Sequence, residues 1–148
     1  MNNDSTIGQI AIGFQLHGLP GADVARQRTD AVARERRNLD IAAIKSDAAQ
    51  KSAAGQHRQA VETWKKVIAV EPNVAQNYLD LAETLVEAGA LEESLQYFVK
   101  TAELDGVAEV HLRLADVLAR LGRKRESALA RETYERLRLE DFRRRSRR

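Results

Sequence analysis

Three histidines, 22 acidic side chains and no cysteine bound the chemistry open to this chain. His17, His57 and His111 fall in three separate segments. None opens a His-Glu-x-x-His pattern or another spacing that would put two metal ligands on one helical face. The lack of cysteine removes thiol nucleophiles, disulfides and cysteine-held zinc or iron-sulfur centres. Glycines gather between Gly13 and Gly21, yet the stretch lacks the Lys-Ser or Lys-Thr ending of a phosphate loop and follows no strand-like run. Carboxylates do pair. Asp80 with Glu83, and Glu83 with Glu87, are 3 and 4 residues apart and share a helical face, while Glu92 adjoins Glu93. Such pairs can hold a cation or a basic peptide, but solvated helices carry them routinely. With no convergent set of groups to tune one another, the expectation is a protein that is not an enzyme and takes no cofactor.

The elements that carry these residues follow from composition. Of 148 residues, 43% are apolar and 31% charged, only 2 are proline and 5% are aromatic. Long tracts of Ala, Leu, Glu, Arg and Lys favour an all-helical protein with one core or a short array of repeats. Charge is uneven along the chain. Residues 1–74 hold 10 basic and 8 acidic side chains, 75–136 hold 8 and 12, and 137–148 hold 6 and 2. The run Arg143, Arg144, Arg145, Arg147, Arg148 could contact an acidic partner, RNA or a membrane surface. It equally suits the end of a solvated helix, where cations complement the helix dipole.

At the amino end, Ile7, Ile10, Ala11 and Phe14 recur at helical spacing after Asp4 and Ser5, and Gly18, Leu19, Pro20 and Gly21 stop the run. Residues 1–21 are accordingly read as an N-terminal segment with a short helix. The apolar stretch from Ile7 to Leu19 has no preceding Lys or Arg and is too short and mixed to cross a membrane, so a cytoplasmic protein without membrane insertion is expected. A second helix starts near Ala22 with Val24, Ala25, Ala31, Val32 and Leu39, and a bend or break is expected near Asn38 and Asp40.

Beyond this point the sequence repeats. Ala48, Gly55, Ala60, Trp64 and Pro72 align with Ala82, Gly89, Ser94, Phe98 and Gly106, each 34 residues on, and Ala82, Gly89 and Ser94 align with Ala115, Gly122 and Ser127 at 33. Each unit reads as two amphipathic helices around a glycine turn. In the middle copy Tyr78, Leu81, Ala82 and Leu85 make one stripe, and Leu91, Leu95, Phe98 and Val99 the other. Small residues at Ala48, Ala82 and Ala115 allow close helix approach, and Trp64, Phe98 and Tyr78 fill the space between units. One unit cannot bury its own stripe, so stability must come from stacking.

These units resemble the tetratricopeptide repeat. Its small, aromatic and proline positions match Ala48, Gly55, Ala60, Trp64 and Pro72 in the first copy and Tyr78, Leu81, Ala82, Leu85, Gly89 and Phe98 in the second. The third keeps Leu114, Ala115, Leu118, Gly122, Ala128 and Tyr134. It departs by placing Arg131 near the aromatic filler. The resemblance covers roughly Ile41 to Leu139 and implies an all-α tetratricopeptide-like helical-repeat solenoid with repeats near 41–74, 75–107 and 108–139. The helical domain is taken as residues 22–148, with extra N-terminal helices and a long C-terminal capping helix that runs from about Arg123 toward Phe142 without a new glycine or proline turn.

In the resembling family the first helix of each repeat lines a concave groove that holds peptides. Carried onto this chain, that face gives Lys45 and Ala49 in the first repeat, Gln76, Leu79, Glu83, Val86 and Glu87 in the second, and Leu112, Asp116 and Arg120 in the third. A subset of the family clamps the acidic carboxyl-terminal tails of chaperones with basic and asparagine side chains. Lys45 matches one clamp position, but Ala49, Glu83, Leu112 and Asp116 do not, so the expected partner is a protein or peptide with basic or apolar anchors. A non-catalytic interaction scaffold is the leading reading. The alternative is a homo-oligomeric assembly unit, using the segment from Ile7 to Phe14 or the capping helices. A nucleic-acid adaptor using Arg34, Arg36, Arg37 and the terminal arginines is the weakest, since no aromatic and basic residues interleave.

Overall fold

The computed structural model describes residues 21–147. The expected helix from Ile7 to Phe14, His17 and the last arginine, Arg148, lie outside the described residues. All regular structure described is helical: α1 (Ala22–Ala53), α2 (His57–Val70), α3 (Ala75–Glu87), α4 (Leu91–Asp105), α5 (Ala108–Arg120) and α6 (Lys124–Arg145). The chain divides into two compact units, Met1–Ala42 and Ala43–Arg148.

α1 is one helix of 32 residues, without the break expected near Asn38 and Asp40. No glycine or proline interrupts it, and both polar side chains are exposed, so water satisfies them and they do not compete for the backbone. In the first unit α1 leaves Val24, Val32 and Leu39 exposed.

In the second unit the repeat of sequence is a repeat of geometry. Gly55, Gly89 and Gly122 end α1, α3 and α5 at φ of 75°, 79° and 76°. The amide after each glycine donates back to the carbonyl five residues earlier: Gln56 to Lys51 and Ala90 to Leu85 at 2.8 Å, Arg123 to Leu118 at 2.9 Å. This is the Schellman close, which needs a residue with positive φ at one position and thereby places glycine there.

The core assembles as three overlapping clusters. Ala48, Trp64 and Val67 of the first helix pair meet Leu81 and Leu85 of α3. Ala82 on the adjacent stripe of α3 meets Phe98, Val110 and Val117, and Ala115 and Leu118 meet Ala130. α3 therefore buries two stripes, one toward the preceding repeat and one toward its own partner and the next. Ala48, Ala82 and Ala115 are fully buried, as the close approach of paired helices demands. Trp64 and Phe98 are buried and Tyr78 is half-buried, its hydroxyl donating to the Pro72 carbonyl at 2.9 Å. In the last repeat Ser127 takes the small buried position, with its hydroxyl donating to the Ala115 carbonyl at 2.8 Å, while Ala128 is exposed.

Two junctions between repeats differ in chemistry. Val110 and Val117 face the second repeat, whereas the residues 33 positions earlier, Asn77 and Thr84, are polar and buried against the first. Asn77 Nδ2 donates to Glu71 Oε2 at 2.9 Å, and Thr84 Oγ1 donates to the Asp80 carbonyl at 2.8 Å, so neither is left without a partner.

The final repeat ends the array. α6 has 22 residues against 15 in α4 and continues as one helix, the long C-terminal helix expected from the sequence. Arg131 stands where the earlier repeats carry Trp64 and Phe98, and the Arg138 guanidinium lies 5.9 Å from the centre of the Tyr134 ring.

Candidate binding groove

The first helix of each repeat contributes to a set of clefts within the second unit. Between α1 and α3 a cleft of about 320 Å³ is lined by Ala49, Ser52, Trp64, Asp80, Glu83 and Glu87. Between α3 and α5 lie two more. One, of about 290 Å³, includes Gln76, Leu79 and Arg113, and the other, of about 400 Å³, includes Val86, Asp116 and Arg120. Glu83 lines all three and stands at the centre of the groove.

Of the residues expected at this surface, Ala49, Gln76, Leu79, Glu83, Val86, Glu87, Asp116 and Arg120 line these clefts. Leu79 and Val86 are half-buried and pack beneath on the cluster around Phe98, so each offers the groove only part of its surface. Leu112 is half-buried and Lys45 is drawn into an ion pair, and neither lines the three clefts. Lys45 Nζ sits 2.5 Å from Glu71 Oε2, the same oxygen that accepts from Asn77. Hydrogen bonds from Lys45 and then Asn77 hold the Glu71 carboxyl below its ordinary range.

Asp80 and Arg113 belong to the clefts and were not singled out for the groove from sequence. They occupy equivalent positions, 33 residues apart, next to the helical face carried over from the family. Comparing that position across repeats would have shown opposite charges at one site. Burial pushes the Asp80 carboxyl up, partly offset by Gln76, whose amide donates to Asp80 Oδ1 at 2.8 Å.

The other groove charges are loosely held. Arg113 Nε is 3.6 Å from Glu83 Oε1, and Glu87 Oε2 accepts from Ser52 Oγ at 2.8 Å. His57 Nδ1 lies 3.7 Å from the same oxygen, too far for a hydrogen bond, and this ring nitrogen is buried without a partner among the described residues. Asp116 accepts from Arg131 of α6 at 3.0 Å. His111 is half-buried, and burial followed by the nearby Arg136 charge holds its imidazole below the ordinary range. No group of three or more histidine or acidic side chains is arranged to hold a metal among the described residues. No described helix is long and apolar enough to cross a membrane.

The architecture is that of a tetratricopeptide-like helical-repeat array. A type III secretion translocator chaperone of Yersinia enterocolitica, SycD, superimposes with a TM-score of 0.64 at 15% identity, over 72% of this chain and 81% of that one. Residues 41 to the end of MamA from Desulfovibrio magneticus RS-1 give 0.65 at 21% identity, over 81% and 71%. The second tetratricopeptide domain of Spaghetti (RPAP3), solved with the HSP90 peptide SRMEEVD, gives 0.60 at 18% identity, over 69% and 95%. No protein-family model and no curated protein matches the sequence.

Proposed function

We propose that this chain is a non-catalytic interaction scaffold that holds a peptide or helix with basic and apolar anchors in its groove. One observation carries the reading. The cleft between α1 and α3 is lined by three carboxylates, Asp80, Glu83 and Glu87, and by no lysine or arginine, while Leu79 and Val86 continue the surface along α3. Stacked helices hold these groups in place before a partner arrives, so less ordering entropy is lost on docking. Peptide binding by similar folds supports the reading: SycD has been solved with a peptide of the translocator YopD. The acidic peptide held by the RPAP3 domain is a poor guide here, because Lys45 is occupied by Glu71 and Glu83 stands at the centre. A cytoplasmic setting belongs to the same proposal.

The experiment is fluorescence anisotropy with a labelled amphipathic peptide bearing Lys and Leu on one face, and a control in which Glu replaces Lys. The basic peptide should bind and the acidic one should not. Glu83→Lys with Glu87→Lys should weaken binding by at least about tenfold, the size of a lost close charge pair. Equal binding of both peptides, or no response to the double variant, would remove the groove from the function.

A further inference from the structure

We infer that the projecting end of α6 from one copy docks into the groove along α3 of a second copy. This rests on the groove being a binding surface, and it names the occupant. The apolar side of the contact is Phe142, 70% exposed, and Leu139, 53% exposed, on a helix that outruns α4 by roughly 10 Å at 1.5 Å per residue. Among the described residues nothing covers more than half of either side chain. They border a shallow cleft of about 290 Å³ against Ala108 and Glu109 at the start of α5, with Arg138, Asp141 and Arg145 beside them.

Spacing puts cations on the apolar face. Arg138 and Arg145 are four residues before and three after Phe142, and Arg143 is four after Leu139, so these side chains share one side of α6. Arg143, Arg145 and Arg147 have no ion-pair partner among the described residues, whereas Arg136 and Arg144 pair with Glu140 and Asp141. In the groove, Asp80, Glu83 and Glu87 line the cleft between α1 and α3, while Leu79 and Val86 line the two neighbouring clefts, where the carboxylates Glu83, Glu87, Asp105, Glu109 and Asp116 outnumber Arg113 and Arg120. Apolar anchors would seat on Leu79 and Val86 while the arginines meet the carboxylates, each surface meeting its complement in charge.

The partner is another molecule because α6 packs on α5, and no α6 side chain lines the three groove clefts. The two surfaces are different patches of one chain. Their contact is therefore heterologous and builds a ring or an open chain of copies, according to whether the rotation closes.

The test is sedimentation velocity on the full chain across a wide concentration range, at about 0.05 M and about 0.3 M salt, where screening differs most for exposed charges. The wild type should self-associate, more weakly at the higher salt. Glu83→Arg with Glu87→Arg, and separately Arg143→Glu with Arg145→Glu, should each weaken association at least tenfold, and an equal mixture of the two should recover it in mixed species. Circular dichroism establishes that each variant is folded. A labelled peptide of residues 134–148 titrated onto the wild type gives a second readout free of any folding question, and it should bind in the groove. A wild type monomeric throughout, or association that ignores the groove variant, overturns the inference. If the wild type stays monomeric and the tail peptide fails while the Lys and Leu peptide binds, the occupant is wrong and the groove reading stands. If neither peptide binds, both fall.

Discussion

Arg131 Nη2 lies 3.0 Å from Asp116 Oδ1, joining α6 to α5 at the repeat position that Trp64 and Phe98 fill in the two earlier units. Both partners are more than half exposed. Where a following repeat would bury an aromatic ring, the last unit presents an ion pair to water. The exchange of filler for charge turns an internal interface into an end.

Substitutions at these equivalent positions should differ sharply. Phe98→Ala removes a ring that is 1% exposed and joins α4 to α3 and α5, and it should cost about 3 to 5 kcal/mol. Arg131→Ala should change stability by about 0.5 kcal/mol or less, because an exposed pair in water gains little. Urea denaturation of the two variants measures the contrast, and a large loss for Arg131→Ala would mean that the pair holds α6 in place.

Asn77 is 1% exposed and ties α3 to Glu71. Asn77→Ala should destabilise by about 1 to 3 kcal/mol, the range for losing a buried hydrogen bond to a charged group. Val110→Ala, at the equivalent site of the next junction, should cost a similar amount for a different reason, a lost apolar contact with a small cavity. Salt should separate them in thermal denaturation, since only the Asn77 site holds an ion pair.

Gly89 has φ of 79° and nothing within 4 Å of the place a Cβ would occupy. Gly89→Ala should thus cost about 1 to 2 kcal/mol through backbone conformation alone. Gly89→Asn should cost less, since asparagine tolerates the left-handed region. Equal losses for the two variants would point instead to a steric cause.

The pair of Lys45 with Glu71 predicts a pH dependence with a definite sign. Glu71 has its carboxyl held below the ordinary value of 4.5 by Lys45 and Asn77, so its stabilisation is complete above that value and is lost as pH falls through the lowered one. Lys45→Ala should therefore cost about 0.5 to 1 kcal/mol at neutral pH, discounted for the partial exposure of both side chains. The gap from wild type should close under acid. Chemical denaturation at pH 7 and at about pH 3 gives both values, and a gap that persists in acid would show that Lys45 acts through packing of its alkyl stem.

Much of the fold was legible because it depends on local rules that recur. Glycine at Gly55, Gly89 and Gly122 is required by positive φ, alanine at Ala48, Ala82 and Ala115 by close helix approach, and Trp64 and Phe98 by the volume between units. Regular spacing of those needs is visible without coordinates. The break expected in α1 was not found, since Asn38 and Asp40 only weaken a helix locally and nothing there forces it to stop.

The groove was legible only as a list of faces. The resemblance to the tetratricopeptide repeat, carried onto α3, implied Leu79, Glu83 and Val86 as groove residues. It did not show that Lys45 is spent on Glu71, that Asp80 and Arg113 enter the clefts, or that Arg131 reaches Asp116. Helical periodicity fixes the direction of a side chain within one helix, but its partners sit on other helices, at distances set by how the repeats pack. Sequence by itself therefore determined the repeating helices and their turns, through dihedral and volume demands local to each unit. Tertiary structure alone decided which charges are neutralised between helices and which stay exposed without an ion-pair partner among the described residues, because ion pairing depends on separations of a few ångströms between residues far apart in the chain.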